Sequence, residues 1–375
     1  MTSIFILLFF AYLVSVVVLT GGWHRTIARI GPTADCPEIM ISVVIPVRDE
    51  GSNIAALLGD IINQSHANFE VIVVNDHSRD ETKEIVSNFT RQHPSVALIS
   101  SQGEGKKKAL TTGINASRGE IIVTTDGDCR VGQHWLRSIA KYFKNDQTQM
   151  VFGAVKLEGA SFFSALQAHE FLSLVGTAAA TLWFKAPSMC NGANLAFRKT
   201  TFFEVGGYAN NINIPSGDDE FLMRKIFESH PDGIHFVNDN SSVVATNAMR
   251  SLKEFTHQRV RWAGKWRHAP FSWNAVLAIF IFCFQLSVLS MPVALVSSVI
   301  DPGVTILFLF KFIIEWIFLK KVADFVKVKW NWSAFVFLQI FYPVYAIWIG
   351  VISSFTSFEW KGRRLNSLTV SRSKS

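Results

Sequence analysis

The sequence predicts an α/β domain built on a doubly wound parallel sheet and held between membrane helices. Two observations carry that expectation. Apolar residues make up 49% of the 375-residue chain, but they concentrate in the first twenty positions and again after about position 274. Between those regions, from Ile41 to Thr125, short apolar runs alternate with segments of helical spacing, the pattern of parallel β-α-β units.

Ser3–Thr20 is one unbroken apolar stretch of membrane-spanning length. A cleaved signal peptide would carry basic residues before Ile4, whereas Arg25 and Arg29 follow the stretch. Residues 1–22 are therefore expected as a retained anchor with its C-terminal end in the cytosol. Strands are expected at Ile41–Val47, Glu70–Asn75, Val96–Ser100 and Glu120–Thr125, with helices at Asn53–Asn63, Glu81–Arg91 and Lys107–Ala116. Ligands of such sheets bind beyond the C-terminal strand ends. The chemistry should then lie just after Val47, Asn75 and Thr125.

The catalytic domain is expected to span 41–268. Three apolar blocks follow within 274–355: Asn274–Ile300, Val304–Leu319 and Ser333–Phe355, ahead of a basic tail at 356–375. The first and third can each span a bilayer. The second is short and carries Lys311 and Glu315, four apart on one helix face. It either spans with that pair turned inward or lies along the interface. Three spans would put the Lys361–Arg364 cluster outside. A surface-lying second block would instead strand Lys320–Lys329 there, so the charges leave both arrangements open.

Asp126-Gly127-Asp128 ends the fourth strand. Two carboxylates around a glycine can hold one hard divalent ion, which would neutralise a leaving diphosphate. Asp and Gly are also turn residues, but the place at a strand end favours the ligand reading. Asp76 follows the second strand and can accept hydrogen bonds from a base or ribose. Helix capping, its alternative role, is already served by Asp80. Gly105-Lys106-Lys107-Lys108 opens the third helix, where ammonium groups either meet phosphate or form a solvated face. Asp218-Asp219-Glu220 precedes a helical run and either complements the helix dipole or supplies a general base. Gln258-Arg259-Val260-Arg261-Trp262 lies on a helix before the membrane block. It is either a basic amphipathic surface helix, or Arg261 pairs with phosphate and Trp262 walls a sugar ring.

The run V-V-I-P-V-R-D-E-G-S-N-I at Val43–Ile54, Asp76, D-G-D at Asp126–Asp128, D-D-E-F-L at Asp218–Leu222 and Q-R-V-R-W at Gln258–Trp262 share one order and spacing. That order resembles the family-2 glycosyltransferases, over about Ile41 to His268. Q-x-x-R-W is shared with membrane-bound members: cellulose, chitin, hyaluronan and poly-N-acetylglucosamine synthases and ceramide glucosyltransferases. The resemblance implies a GT-A fold, a UDP-sugar donor and one Mg²⁺ or Mn²⁺ ion. It implies Pro46, Asp76, Lys106 and Asp126 at the nucleotide-sugar, Asp128 on the metal and Asp219 as base. Asn191, Gly192, Asn194, Asp218, Gln258, Arg261 and Trp262 would surround the diphosphate and acceptor. The family's T-E-D reads Gly217-Asp218-Asp219 here, which leaves Asp218 as an alternative base one position away. The implied reaction is a single displacement that inverts the anomeric centre. About four spans are few for a polymer-secreting tunnel, so a membrane lipid acceptor is expected. A polysaccharide product would need a small partner subunit.

The net charge of +7 does not point to nucleic acid, because the basic residues flank the apolar segments and no nucleic-acid motif accompanies them. The four cysteines form no C-x-x-C pair and fit a reducing cytosol. A nucleotidyltransferase could share the sheet and D-x-D but has no need of Q-x-x-R-W beside a membrane. A non-catalytic scaffold would have no reason to keep the acids. The expected location is the cytoplasmic membrane, multi-pass, with the catalytic domain facing the cytosol.

Overall fold

The computed structural model describes residues 2–29, 31, 38–212, 214, 216–264, 273–298, 301–355, 358–360 and 363–365. Cys36, Lys361, the expected domain end at His268 and most of the 356–375 tail lie outside the described residues. The helices are α1 (Thr2–Ala28), α2 (Ile54–Ile62), α3 (Thr82–Gln92), α4 (Lys106–Ala116), α5 (Trp135–Ala140), α6 (Phe162–Trp183), α7 (Lys199–Glu204), α8 (Asp218–Ser229), α9 (Leu252–Gly264), α10 (Trp273–Val296), α11 (Thr305–Val326) and α12 (Trp332–Phe355). The strands that build the domain are β1 (Ile41–Val47), β2 (Phe69–Asn75), β3 (Val96–Ser100), β4 (Ile121–Thr124), β5 (Cys129–Arg130), β6 (Met150–Phe152), β7 (Val155–Glu158), β8 (Leu195–Arg198), β9 (Ile234–Phe236) and β10 (Val244–Asn247).

Seven strands form the main sheet in the order β3-β2-β1-β4-β8-β6-β9. The first four are parallel, as the alternating pattern requires. The inner strands β1 and β4 are mostly apolar and almost wholly buried because both faces of the sheet are covered there, while the edge strand β3 is partly exposed. Beyond β4, past the stretch whose pattern implied parallel pairing, the sheet becomes mixed: β8 runs antiparallel to both β4 and β6. The chain leaves the sheet after β6 for β7 and α6 and returns along β8 from the far end. The strand order reverses at β1, between β2 and β4, the place where such sheets open a ligand crevice. A smaller sheet, β5-β10-β7, sets Thr246 opposite Cys129 beside that crevice.

Four described helices, α1, α10, α11 and α12, are long and apolar enough to cross a bilayer. Helices α1 and α11 lie side by side and run in the same direction. Phe5 and Phe9 cluster with Val304 at one end, and Trp23 meets Phe325 at the other, with ring centroids 5.5 Å apart. The far end of α11 joins the domain's own core through Phe318, Val322, Ala323 and Val326. Gly176 of α6 permits that approach, since a Cβ there would stand 2.6 Å from the Phe318 ring. Lys311 and Glu315 are turned inward. Their charges meet at 2.9 Å, Lys311 also donates to Gln339 at 2.7 Å, and Tyr12 donates to Glu315 at 2.5 Å. Of the two arrangements the sequence left open for this block, the structure shows the inward-facing pair.

Candidate active site

The C-terminal ends of β1, β2 and β4 open into a cavity of about 1950 Å³, and every candidate residue except Asn194 lines it. Asp76 is buried at the end of β2. It accepts from the backbone N–H of Gly105 at 3.0 Å and so holds the start of α4. Gly105 has φ +104°, a conformation that favours glycine. Asp80 serves the start of α3, accepting from Thr82 N–H at 3.1 Å and Gly51 N–H at 2.8 Å.

The three lysines at the start of α4 diverge. The Lys106 ammonium stands 2.7 Å from Asp126 and 3.4 Å from Asp218. Burial works against its charge, but Asp126 and Asp218 outweigh it and hold Lys106 well above the usual range. Lys107 points the other way and donates to the carbonyls of Asn211 at 2.8 Å and Ser216 at 3.1 Å. Burial pushes it down to about 8. Lys108 is exposed.

Asp128 lies next to the small sheet, where the Thr246 hydroxyl donates to it at 3.1 Å. Burial, then the charges of Asp126 and Glu50, push its carboxyl above the ordinary value. Glu50, which sequence reasoning passed over, also lines the cavity. Carboxylates crowded in this way favour a cation between them. Among the described residues no group of three His, Cys, Asp or Glu is arranged to hold a metal ion alone. An ion held by Asp126 and Asp128 would therefore complete its shell with phosphate oxygens and water, which suits Mg²⁺ or Mn²⁺.

The acids at 218–220 form the first turn of α8 rather than preceding it, after Gly217 at φ +77°. Asp219 accepts from Gly192 N–H at 3.0 Å and Glu220 N–H at 2.7 Å. Burial opposes ionisation of Asp218, but Lys106 and Lys107 hold it below the usual carboxylate range. Glu220 pairs with Arg224 inside the helix.

The loop facing Asp219 is braced from behind. Thr124 at the end of β4 donates to the Gly192 carbonyl at 2.7 Å, and Asn191 accepts from Ala193 N–H at 3.0 Å. Asn194 is not on the wall. Its amide accepts from Trp135 Nε1 at 2.9 Å and donates to the carbonyls of Ala154 at 2.8 Å and Ser242 at 2.9 Å. With those partners it acts as a strut for the loop, not as a ligand.

Gln258, Arg261 and Trp262 bring α9 to the opposite wall. Burial lowers the Arg261 guanidinium, while Asp218, Asp126 and Asp219 pull it back up, which places it in the field of the acids. Arg259 also borders the cavity, but its guanidinium pairs with Glu170 of α6 at 2.5 Å. Glu170 was missed in the sequence. A lone acid within the apolar run Phe162–Trp183 was the available signal, because a buried charge needs a partner.

Residues 42–208 match the model of the family described as Glycosyl transferase family 2. Glycosyltransferase AglE of Haloferax volcanii is 29% identical over 196 residues, which cover 49% of this chain and 60% of AglE. The dolichyl-phosphate beta-glucosyltransferase ALG5C of Trichomonas vaginalis is 30% identical over 158 residues, covering 38% of this chain and 47% of that protein. The chain thus spans about half the length of these curated relatives. In three dimensions it superposes on the mannosyltransferase PcManGT from Pyrobaculum calidifontis, solved with GDP-Man and Mn²⁺. The TM-score is 0.62 at 17% identity, covering 94% of this chain and 99% of that one. That likeness establishes the GT-A, Rossmann-like α/β fold. Sequence match and fold agree: over residues 42–208 the chain is similar to glycosyltransferase family 2 domains, and its fold is that of the GT-A glycosyltransferases.

Proposed function

We propose that the protein transfers a sugar from a nucleotide diphosphate, UDP in the reading favoured by the resemblance, to an oxygen of a membrane lipid's head group, with inversion. One observation carries this reading. The cavity that begins among Asp76, Asp126 and Asp128 continues past Trp262 into the space between α1, α10, α11 and α12, where Tyr12, Gln285 and Gln339 line it. A head group standing before Asp219 can thus keep its hydrocarbon among apolar helices.

Asp76 and Pro46 border the nucleoside, while Lys106 and Arg261 face the diphosphate. Asp128, with Asp126, would hold Mg²⁺ or Mn²⁺, which when bound neutralises the leaving diphosphate. The acceptor oxygen attacks the anomeric carbon and the bond from that carbon to the diphosphate oxygen breaks on the opposite face; where the acceptor is a hydroxyl, Asp219 takes its proton, and an ionised phosphate acceptor attacks with no proton to remove. The printed activity of ALG5C, on dolichyl phosphate, supports a lipid acceptor, and the Mn²⁺ bound by PcManGT supports a divalent ion.

Charge supports a cytosolic active site. Arg25 lies in the last turn of α1 and Arg29 just beyond it, while Lys320 and Lys321 near the end of α11 and Lys327 and Lys329 beyond it lie at the corresponding end, so both basic sets stand at the domain ends of two parallel helices. The test is to incubate membranes carrying the protein with labelled UDP-sugars and GDP-mannose and to separate the products by size and solvent. A solvent-extractable lipid product supports the reading. A long water-soluble polymer made by this chain alone overturns the lipid acceptor, and no donor turnover at all overturns glycosyl transfer.

A further inference from the structure

On the α9 side of the cavity lies an ion pair that the proposed reaction does not use. Arg259 and Glu170 meet at 2.5 Å with side chains only 4% and 7% exposed. Burying both charges is expensive, and well-packed apolar residues would often serve stability as well or better. What the pair does supply is geometry. The guanidinium carbon stands 4.4 Å from the centre of the Trp262 ring and 4.7 Å from that of Phe255. Its Nη1 donates to Gln258 Oε1 at 3.1 Å, and its Nη2 donates to Glu170. One planar cation therefore touches both ends of the segment Gln258–Trp262, and Glu170 ties it to a different helix.

We propose that Arg259 is a positioning residue: anchored by Glu170, it fixes Gln258 and the Trp262 ring on the acceptor side of the cavity. The proposal rests on reading the cavity as a sugar-transfer site. Apart from Arg261, the donor side is built from β1, β2, β4 and α4, which carry none of the Arg259 contacts described above, and the Arg259 contacts fall on Gln258 and Trp262 rather than on Arg261, so acceptor use should depend on the pair more than donor use does. Lysine is a poor replacement, because it keeps the charge but loses the plane and the second directed N–H.

The test uses the full-length chain in detergent, with Arg259→Lys, Arg259→Met and Glu170→Gln. Donor use is read as hydrolysis of UDP-glucose or GDP-mannose by water, and acceptor use as transfer to dolichyl phosphate. The acceptor KM should rise on the order of tenfold in Glu170→Gln and Arg259→Met and less in Arg259→Lys, with the donor KM within about twofold of wild type. An unchanged acceptor KM, or donor and acceptor KM rising together, overturns the proposal. If Glu170→Gln and Arg259→Met do not fold, Arg259→Lys decides by the same split. If the wild type hydrolyses donor but transfers nothing to dolichyl phosphate, that acceptor is wrong, and the clamp is read by hydrogen exchange instead. Arg259→Lys should then raise exchange at residues 258–262 several-fold and leave α4 and α8 unchanged; unaltered exchange on α9 overturns the clamp as well.

Discussion

Replacing Lys106 by methionine should move two affinities in opposite directions. In the structure its ammonium lies 2.7 Å from Asp126 and 3.4 Å from Asp218, where a cation bound by the acids would compete with it. The same ammonium is the donor best placed to follow a diphosphate. A hydrogen bond to a charged group is worth about 1.5–3 kcal/mol. The Asp126 side chain is 38% exposed, so solvent screening argues for the lower end, or about tenfold in affinity. Methionine keeps the apolar stem in place and removes only the charge. Titrated without nucleotide, Mn²⁺ should bind Lys106→Met about tenfold more tightly than wild type. Titrated with saturating Mn²⁺, UDP or GDP should bind about tenfold more weakly. Calorimetry on the detergent-solubilised protein measures both. If the two affinities shift in the same direction, or neither shifts, Lys106 does not link the acids to the diphosphate.

Other substitutions probe the remaining roles. Asp219→Asn should retain nucleotide affinity and lose on the order of 10²–10⁴ in turnover, and a larger loss in Asp218→Asn would move the base one position. Asp128→Ala, or wild type in excess EDTA, should lose metal-dependent nucleotide binding, and full activity in either case would remove the ion from the mechanism. Because the Asp128 carboxyl sits above its ordinary value, protons compete with the ion at a higher pH than at an ordinary aspartate. Mn²⁺ affinity should therefore fall on acidification earlier than in a simple carboxylate site, which a titration series in pH checks. Gly153→Ala would set a Cβ 2.3 Å from the Asn194 amide nitrogen. Overpacking of this kind costs about 1–3 kcal/mol, so the midpoint of thermal unfolding should drop, and an unchanged midpoint would show that the Asn194 strut is not rigid.

The part of the fold that is legible in the sequence is the part where local pattern and tertiary placement agree. Ile41–Val47 is apolar but for Ser42 because β1 lies in mid-sheet with both neighbours parallel, and its limits are those the pattern suggests. Past Thr124 the agreement ends. Strands β6 and β8 are short, and nothing in Leu195–Arg198 records that it will pair in the opposite direction. Helix α6 is apolar on nearly all sides because sheet, α1 and α11 surround it, so it lacks the one-sided stripe that marks a surface helix. At the site, Asp76, Asp126, Asp128 and Asp219 could be named because each stands at a strand end or helix start, where a ligand must approach. Asn194 shares a run with Asn191 but stands three positions on, where its amide is buried against Trp135, Ala154 and Ser242 instead of lining the cavity. Glu170 and Arg259 are eighty-nine positions apart, and no local rule joins them.

The end of α11 has a consequence for how the chain can be divided. Phe318, Val322, Ala323 and Val326 belong to the same apolar core as Phe171, Val175 and Phe236. A fragment ending before α10 would keep every acid of the site yet lose the residues that cover that face. The bare patch would be available to stick to another copy, so such a fragment should precipitate or need detergent even though, of the four described helices long and apolar enough to cross a bilayer, it keeps only α1. Co-expressing residues 273–355 as a separate chain should restore it to solution only in micelles, with the two pieces eluting together. The catalytic and membrane parts are in this sense one folding unit, and any soluble version would have to redesign the face that α11 now shields.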